Sequence, residues 1–293
     1  MAGEFRIEKE TGAGERRMKR SKGIFYVLMA AILFSIGGLC IKVVPWSPLA
    51  INGARNLISV IIIGIYLKII HHKIIVNPPV IFGAVCMTGV TSFYCIANKL
   101  TTAANTIVLQ FTAPIFAIFF MWILFKERPK KVDMITCIAV FAGILCFFVD
   151  GLAAGNMLGN GVAILSGVCY AGVFMMNSFE KSDSLSSIFI GQALTAATSI
   201  WFVFGETDFG ATAMGGILAL GIFQLAFAYI FMAKGLDEIP PVTASLTTAI
   251  EPVLNPILVA VFYHEMISPL SFVGAVIVVV SVVIYNVWKA KAR

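Results

Sequence analysis

Apolar residues occupy long unbroken runs along the chain, separated by short segments rich in charged residues, Gly and Pro. Each run holds roughly 18 to 23 residues, enough for an α-helix to cross the apolar part of a bilayer. A bilayer offers backbone groups no hydrogen-bond partner, so crossing segments form helices or a closed barrel, and unbroken runs favour helices. The pattern therefore predicts ten membrane-spanning helices. They are expected at 24–44, 47–70, 79–98, 103–125, 132–149, 157–176, 185–204, 211–233, 242–263 and 269–288.

Composition supports the same class of protein. Hydrophobic residues make up 59% and charged residues 12% of the chain, and the mean hydropathy is +0.95. A water-soluble globular domain does not carry such a composition. Residues 1–22 are polar, basic and without an apolar core, which predicts a disordered cytosolic tail and not a signal peptide. Met18 begins a segment typical of a natural start, so we hypothesise that residues 1–17 are vector-derived or an upstream extension.

The distribution of Lys and Arg predicts the orientation of the chain. Most of the 21 basic residues fall in the tail and in alternate predicted loops, and few fall in the loops between them. Because Lys and Arg resist translocation, both termini are expected in the cytosol and the protein in the cell inner (plasma) membrane. The net charge of +6 then reflects topology and does not indicate a nucleic-acid partner. The six cysteines lie in apolar runs without metal-ligand spacing, and no metal or cofactor is expected.

An internal repeat divides the chain in two. One shift of the sequence superposes Pro114 on Pro252 and Glu127 on Glu265 without a gap. Five predicted helices separate the copies, and this odd number implies that the second half enters the membrane inverted. The predicted fold class is therefore an all-α integral membrane protein with two five-helix inverted repeats around a central cavity. The predicted repeats are 23–150 and 157–289.

Several of these segments resemble a known family. They are the start of the second span around Arg55, the Pro114 segment with residues 124–128 (LFKER), and residues 250–253 (IEPV) with 263–265 (YHE). The chain resembles the EamA-like family of the drug/metabolite transporter superfamily in these motifs. The resemblance implies ten spans, a central cavity lined by spans one to four and six to nine, and peripheral fifth and tenth spans. It also implies transport of amino acids, metabolites or drugs without specifying which.

Two charged residues lie deep in the predicted spans, Arg55 and Glu251. Each costs roughly 2.5 to 3.5 kcal/mol to insert at mid-membrane, so each needs a compensating interaction. One interpretation makes Glu251 a substrate ligand or proton-coupling carboxylate and Arg55 an anchor for a substrate carboxylate. The other is a structural ion pair between two helices, since the two depths differ by only ~6 Å at 1.5 Å per residue. The sequence leaves both open.

Further polar residues mark the expected cavity wall. The ninth span carries Thr243, Thr247, Thr248, Glu251 and Asn255 at helical spacing, and this stripe is not expected to face lipid. The fifth and tenth spans hold few polar residues, which fits the periphery. The remaining candidates for substrate contact are Asn56, Tyr94, Asn98, Gln110, Tyr170, Gln192, Gln224 and Tyr229.

Three prolines are candidate hinges. Pro252 and Pro256 each remove a backbone donor near Glu251, and Pro114 takes the place of Pro252 in the first half. Simple packing kinks are the alternative interpretation.

The sequence thus predicts a secondary transporter that works by alternating access, most simply an exporter of an amino acid or related solute. A lipid or nucleotide-sugar substrate is an alternative within transport. An intramembrane enzyme would need paired carboxylates or a Ser/His or metal set at one depth, so no catalytic residues are expected. The expected partners are a small-molecule substrate, membrane lipids and protons as the candidate coupling ion, with the chain acting as a monomer.

Overall fold

The computed structural model describes residues 2–101, 103–149, 152, 156–263 and 268–291, and every regular element within them is a helix. The α-helices are α1 (Ala2–Val43), α2 (Pro48–Ile69), α3 (Pro78–Leu100), α4 (Ala103–Gln110), α5 (Ala113–Phe125), α6 (Lys131–Phe148), α7 (Met157–Phe174), α8 (Ser184–Ser199), α9 (Ala211–Ala219), α10 (Ala228–Leu236), α11 (Pro241–Thr248), α12 (Glu251–Tyr263) and α13 (Pro269–Lys291). Met176–Ser178 and Ile200–Gly205 are 3₁₀ turns, and Leu220–Phe227 is π-helical.

Nine helical stretches of the described chain are long and apolar enough to cross a membrane, so this is a multi-pass membrane protein. They are Met18–Gly37, Pro48–Ile69, Pro78–Leu100, Ala104–Phe125, Lys131–Phe148, Met157–Phe174, Ser184–Gly205, Ala211–Leu236 and Pro269–Lys291. The predicted span 242–263 differs, because the structure divides it into α11 and α12. Neither part alone is long enough to cross.

Both helical breaks lie at the aligned prolines. Pro252 has no N–H to donate to the carbonyl of Thr248, and α11 ends at that residue. Pro114 likewise cannot donate to Gln110, the last residue of α4. The helix α12 continues through Pro256. The structure therefore places a break at two of the three candidate hinges, and motion about them stays a prediction.

The N-terminal segment differs from the predicted disordered tail. Helix α1 begins at Ala2 and continues without interruption into the first apolar run. Glu, Lys and Arg, frequent in this segment, are good helix formers, and an existing helix extends through them at little cost. Nη1 of Arg20 donates to the backbone carbonyl of Lys289 at 2.9 Å. The polar part of α1 and the end of α13 therefore lie together.

Loop contacts define the two ends of the helical bundle. At one end, which we call the Trp46 end, Nε1 of Trp46 donates to the carbonyl of Asp208 at 2.6 Å. At the other, the His72 end, Nε2 of His72 lies 2.9 Å from Oδ2 of Asp183. Asn77 also donates to the carbonyl of Lys181 at the His72 end, at 2.7 Å.

Small residues let the helices approach closely. An added Cβ at Gly53 of α2 would lie 2.5 Å from the backbone of Ser199 on α8. An added Cβ at Gly274 of α13 would lie 2.5 Å from the carbonyl oxygen of Gly143 on α6. Such contacts are typical of helix packing within membranes, where close backbone approach replaces the hydrophobic effect.

The pair formed by α6 and α13 is more polar inside than the sequence suggested. Nζ of Lys289 lies 2.8 Å from Oδ1 of Asp133, and the hydroxyl of Tyr285 donates to the same oxygen at 2.7 Å. Thr247 of α11 donates to Oδ1 of Asn286 at 2.9 Å. The expectation of few inward polar groups in these spans is wrong, and the polar contacts join α6 and α13 to α11.

Candidate functional site

A cavity of about 450 Å³ lies between the helices on the Trp46 side of the bundle. Its lining comes from the C-terminal halves of α1 and α3, the first half of α2, and parts of α4, α7, α10, α12 and the π-helical segment. The volume falls in the range of roughly 300 to 1,000 Å³ that small-molecule sites occupy. Most of its surface is apolar, with a small set of polar side chains among the lining residues.

Arg55 supplies the positive charge of the cavity. It lies two turns into α2, which begins with Ser47 as N-cap and Pro48 in the first turn. Nη2 of Arg55 donates to Oδ1 of Asn52 at 3.0 Å, and Nη1 donates to Oε1 of Gln224 at 3.2 Å. The first contact joins residues three apart, which share a helix face. Only 6% of Arg55 is exposed, so these two amides hold the guanidinium at the cavity wall.

Gln224 reaches Arg55 from the π-helical segment Leu220–Phe227. A π turn is wider than an α turn and shifts the direction of the side chains that it carries. Gly37 of α1 lies against the Gln224 amide, and an added Cβ there would be 3.2 Å from Nε2. The small residue and the wide turn therefore leave room for the amide to approach Arg55.

Glu251 supplies the negative charge. It is the first residue of α12, directly after the break, and it lies in the first turn, where the helix dipole favours a carboxylate. The hydroxyl of Tyr170 on α7 donates to Oε2 of Glu251 at 3.4 Å. Tyr170 is itself held by aromatic contacts with Phe111 and Phe174. The break thus places a carboxylate at the start of a helix that faces the cavity.

Arg55 and Glu251 line the same cavity without forming an ion pair, as the contacts of both described side chains show. Tyr94 and Tyr229 also line it, and each lies within electrostatic range of both charges. Tyr229 packs edge-on against Phe34, with ring centroids 4.8 Å apart. The two opposite charges are therefore separate groups of one cavity, with aromatic rings near both.

The other candidates divide into two groups. Besides the residues already placed, Asn98, Gln110, Pro252 and Asn255 line the cavity. Nε2 of Gln110 donates to Oγ of Ser166 at 2.8 Å, so α7 orients this amide.

Five of the polar candidates do not line the cavity; they are Thr243, Thr247, Thr248, Asn56 and Gln192. Thr247 donates to Thr243 and Asn286, and Thr248 donates to backbone carbonyls of α11. The predicted stripe assumed one continuous helix, and the break after Thr248 separates these threonines from Glu251. Asn56 donates to Asn52, and Gln192 is fully buried between helices. Pro114 lies at the break of α4 and α5 outside the lining, and the Pro256 side chain lies outside the described atoms.

Sequence reasoning missed two kinds of contributor. Asn52 orients Arg55, and its position three residues earlier on the same helix was the available signal. Phe34, Trp46 and Phe111 line the cavity as apolar groups. In a chain that is 12% aromatic, no sequence signal separates such rings from packing residues.

Two curated proteins are similar to this chain in sequence, and one solved structure is similar to it in fold. A protein of Bacillus subtilis (strain 168) named "Uncharacterized transporter YwfM" is 26% identical over 288 residues, 94% of this chain and 97% of that protein. The human "Solute carrier family 35 member G1" is 22% identical over 283 residues, 88% of this chain and 77% of that protein. One solved crystal structure superposes with a TM-score of 0.80 at 18% identity, covering 94% of this chain and 100% of that one, which shows the shared fold alone.

The family model described as "EamA-like transporter family" matches residues 21–149 and 157–287, so it matches the chain twice. These two matches cover most of the sequence, and the names of the relatives point to transport and not to catalysis. The chain belongs to the EamA-like transporter family.

Proposed function

We propose that this protein is a secondary transporter that exports a small zwitterionic metabolite, an amino acid or a related solute, by alternating access. The observation that carries the proposal is that Arg55 and Glu251 line one cavity and do not pair with each other. An amino acid presents a carboxylate for a guanidinium and an ammonium for a carboxylate, each as a charge-assisted hydrogen bond. The aromatic rings near both charges suit the short apolar part between and beside these groups.

The proposed topology has ten crossings of the inner (plasma) membrane with both termini in the cytosol. In it, α11 and α12 together form one broken crossing, so the nine long helices and this pair make up the ten. The aligned breaks at Pro114 and Pro252 support two related halves, and inverted halves are how many transporters produce two mirror-related conformations. Such a chain encloses its site without a second subunit, and we propose a monomer.

Alternating access fits the unequal ends of the bundle. The cavity lies on the side of Trp46, which is among its lining residues. The His72 end is closed by polar contacts between loops, including His72 with Asp183 and Asn177 with Asp237. We propose that transport exchanges these contacts for an opening at the His72 end.

Glu251 also suits proton coupling. It is a carboxylate among mostly apolar lining groups, with a tyrosine hydroxyl and no cationic side chain among its described partners. A carboxylate within a membrane is typical of proton relays in transporters. We propose that a proton and the ammonium group of the substrate use this carboxylate in turn, so that the binding of one displaces the other.

The test is a thermal-shift screen of the purified protein with three matched ligand sets: amino acids, the corresponding amines without a carboxylate, and the corresponding acids without an amine. Saturation at about 100 times Kd stabilises a folded protein by about 2.7 kcal/mol, or a Tm shift of about 5 to 10 °C. We expect an amino acid to give this shift. The amine and the acid should each give less.

Two variants and one control connect a binding result to the site. Glu251→Gln should weaken amino-acid binding by about 10- to 100-fold and leave the binding of the acid unchanged, because one charge-assisted bond contributes about 1.5 to 3 kcal/mol. Arg55→Gln should likewise weaken the binding of the amino acid, but it should leave the binding of the amine unchanged. The control Ile51→Val, an apolar change in the same lining, should leave the binding of all three ligand sets unchanged. A nucleotide-linked sugar or a lipid that gives the largest shift, or amino-acid shifts unaffected by both variants, would contradict the proposal.

A further inference from the structure

Buried polar atoms without a hydrogen-bond partner are concentrated on two neighbouring helices. Across the described side chains they are Nδ2 of Asn52, Nε of Arg55, Oδ1 of Asn56 and Oγ of Ser59 on α2, and both amide atoms of Gln192 on α8. An unpaired buried polar atom costs about 1 to 3 kcal/mol, so native interiors hold few of them. A cluster of this kind calls for a physical explanation.

Gln192 faces α2. Phe189 of α8 packs against Gly64 of α2, 3.4 Å from an added Cβ, and Ser199 packs against Gly53. Gln192 lies three residues after Phe189 and seven before Ser199, so helical periodicity places all three on one face of α8. The Gln192 side chain is therefore directed at α2, at a depth between Gly53 and Gly64.

Asn56 and Ser59 occupy this interval of α2, and both are fully buried. Arg55 is the deepest α2 residue in the cavity lining, so Ser59 lies about 6 Å beyond it toward the His72 end, at 1.5 Å per residue. Asn52 links Arg55 at the cavity to Asn56, because its Oδ1 accepts a hydrogen bond from Arg55 at 3.0 Å and one from Asn56 at 3.1 Å. The first turns of α2 therefore carry polar groups from the cavity, at Arg55, to Ser59, nearer the His72 end.

A purely structural role explains the cluster poorly. Polar residues that stabilise helix pairs in membranes do so by bonding across the interface. Neither amide atom of Gln192 bonds to any described residue, and Ser59 does not bond across to α8. The cluster mixes donors with acceptors, which suits water or a polar solute, whereas a bound cation would need acceptors alone.

We propose that Asn56, Ser59 and Gln192 form the closed half of the translocation route, a polar site that takes up water and the polar groups of the substrate when the His72 end opens. This inference rests on the alternating access proposed above. These three residues do not line the cavity on the Trp46 side, so the proposed role is separate from that of the cavity residues.

The test is thiol labelling from each side of the membrane. Ser59→Cys and Gln192→Cys are made separately in a background without the native cysteines, reconstituted in oriented vesicles and exposed to a charged, impermeant methanethiosulfonate. Cys95 restored alone reports on the cavity, since it is a lining residue. Val278→Cys on α13 is the matched control, because Val278 is fully buried away from the cavity. Each variant must elute as a single species and melt close to the background protein, and Asn56→Cys replaces any that does not.

We expect reagent on the His72 side to label Ser59→Cys and Gln192→Cys about tenfold or more faster than Val278→Cys, since labelling scales with the population of the open state. Cys95 should react from both sides. If Cys95 reacts from both sides while neither new cysteine reacts above the control, this inference is wrong and alternating access stands. If Cys95 reacts from the Trp46 side alone, alternating access is contradicted, and this inference with it.

Discussion

The buried ion pair between Asp133 and Lys289 offers a test that needs no knowledge of the substrate. The two side chains are only 10% and 9% exposed, and the pair distance is 2.8 Å. Tyr285 donates to the same carboxylate oxygen at 2.7 Å. The change Asp133→Ala removes the acceptor for both groups and leaves a buried ammonium without its counter-ion.

The expected loss of stability follows from this geometry. Removal of one partner of a buried pair typically costs about 3 to 5 kcal/mol. The Lys289 ammonium also lies 5.1 Å from the Tyr285 ring centroid and 5.8 Å from that of Trp288, and these rings retain part of its stabilisation. We therefore expect Asp133→Ala to lie near the lower limit, about 3 kcal/mol. Lys289→Met should cost a similar amount.

The double variant Asp133→Ala with Lys289→Met separates the energy of the ion pair from the contribution that the two side chains make by packing. Because it removes both charges, we expect it to lie within about 1 to 2 kcal/mol of the wild type. Simple addition of the two single effects would give about 6 kcal/mol, so the expected coupling is about 4 kcal/mol or more. The assay is thermal and denaturant unfolding in one detergent for the wild type, both single variants and the double variant. If the single effects simply add, the ion pair between α6 and α13 contributes no coupling energy, and this reasoning is refuted.

Three further changes test other parts of the structure. Gly53→Ala should lower the unfolding free energy by about 1 to 3 kcal/mol, because the new Cβ meets the backbone of Ser199 at 2.5 Å. The control Gly161→Ala has open space around it and should not lower the unfolding free energy. Equal effects of the two changes would refute the close approach of Gly53 to Ser199. Tyr170→Phe should weaken amino-acid binding by about 2- to 10-fold, as for the loss of one modest hydrogen bond, and a loss as large as that of Glu251→Gln would contradict the 3.4 Å geometry. Asp237→Asn should raise Tm at neutral pH and not at acid pH. Partial burial, with Asp183 nearby, raises the pKa of the Asp237 carboxyl. The charged carboxylate therefore destabilises the folded protein at neutral pH, and this penalty disappears as the pH falls through the raised pKa. A Tm difference that grows at acid pH would contradict this.

The sequence predicted the helices and the two cavity charges for one physical reason. Lipid excludes unpaired backbone groups and charges, so long apolar runs must be helices and deep charges must face the interior. Arg55 and Glu251 accordingly line the cavity. Their separation was not predictable, because spacing along the chain gives the depth of a residue and not its distance from another helix. Depth alone allowed an ion pair that the structure does not form.

The polar scaffold was missed because it lies at the limits of the predicted spans. Asp133 is the second residue of the predicted run 132–149, and Lys289 follows the run 269–288 directly. Charged residues at such limits are usually solvated or snorkel toward the interface. Here both are buried, because the paired ends of α6 and α13 cover them. Tertiary packing, which the sequence pattern does not contain, decides this outcome.

Helix α7 contacts both helical breaks, which gives the aligned prolines a common neighbour. An added Cβ at Gly167 would lie 2.8 Å from the carbonyl oxygen of Gln110, at the break between α4 and α5. One turn later Tyr170 donates to Glu251, at the break between α11 and α12. Each break leaves backbone carbonyls without an intrahelical donor and places a polar side chain, Gln110 or Glu251, on the cavity. Because both rest on one face of one helix, a displacement of α7 must change the surroundings of both polar groups together. The two repeats matched by the family model therefore meet at the cavity through α7.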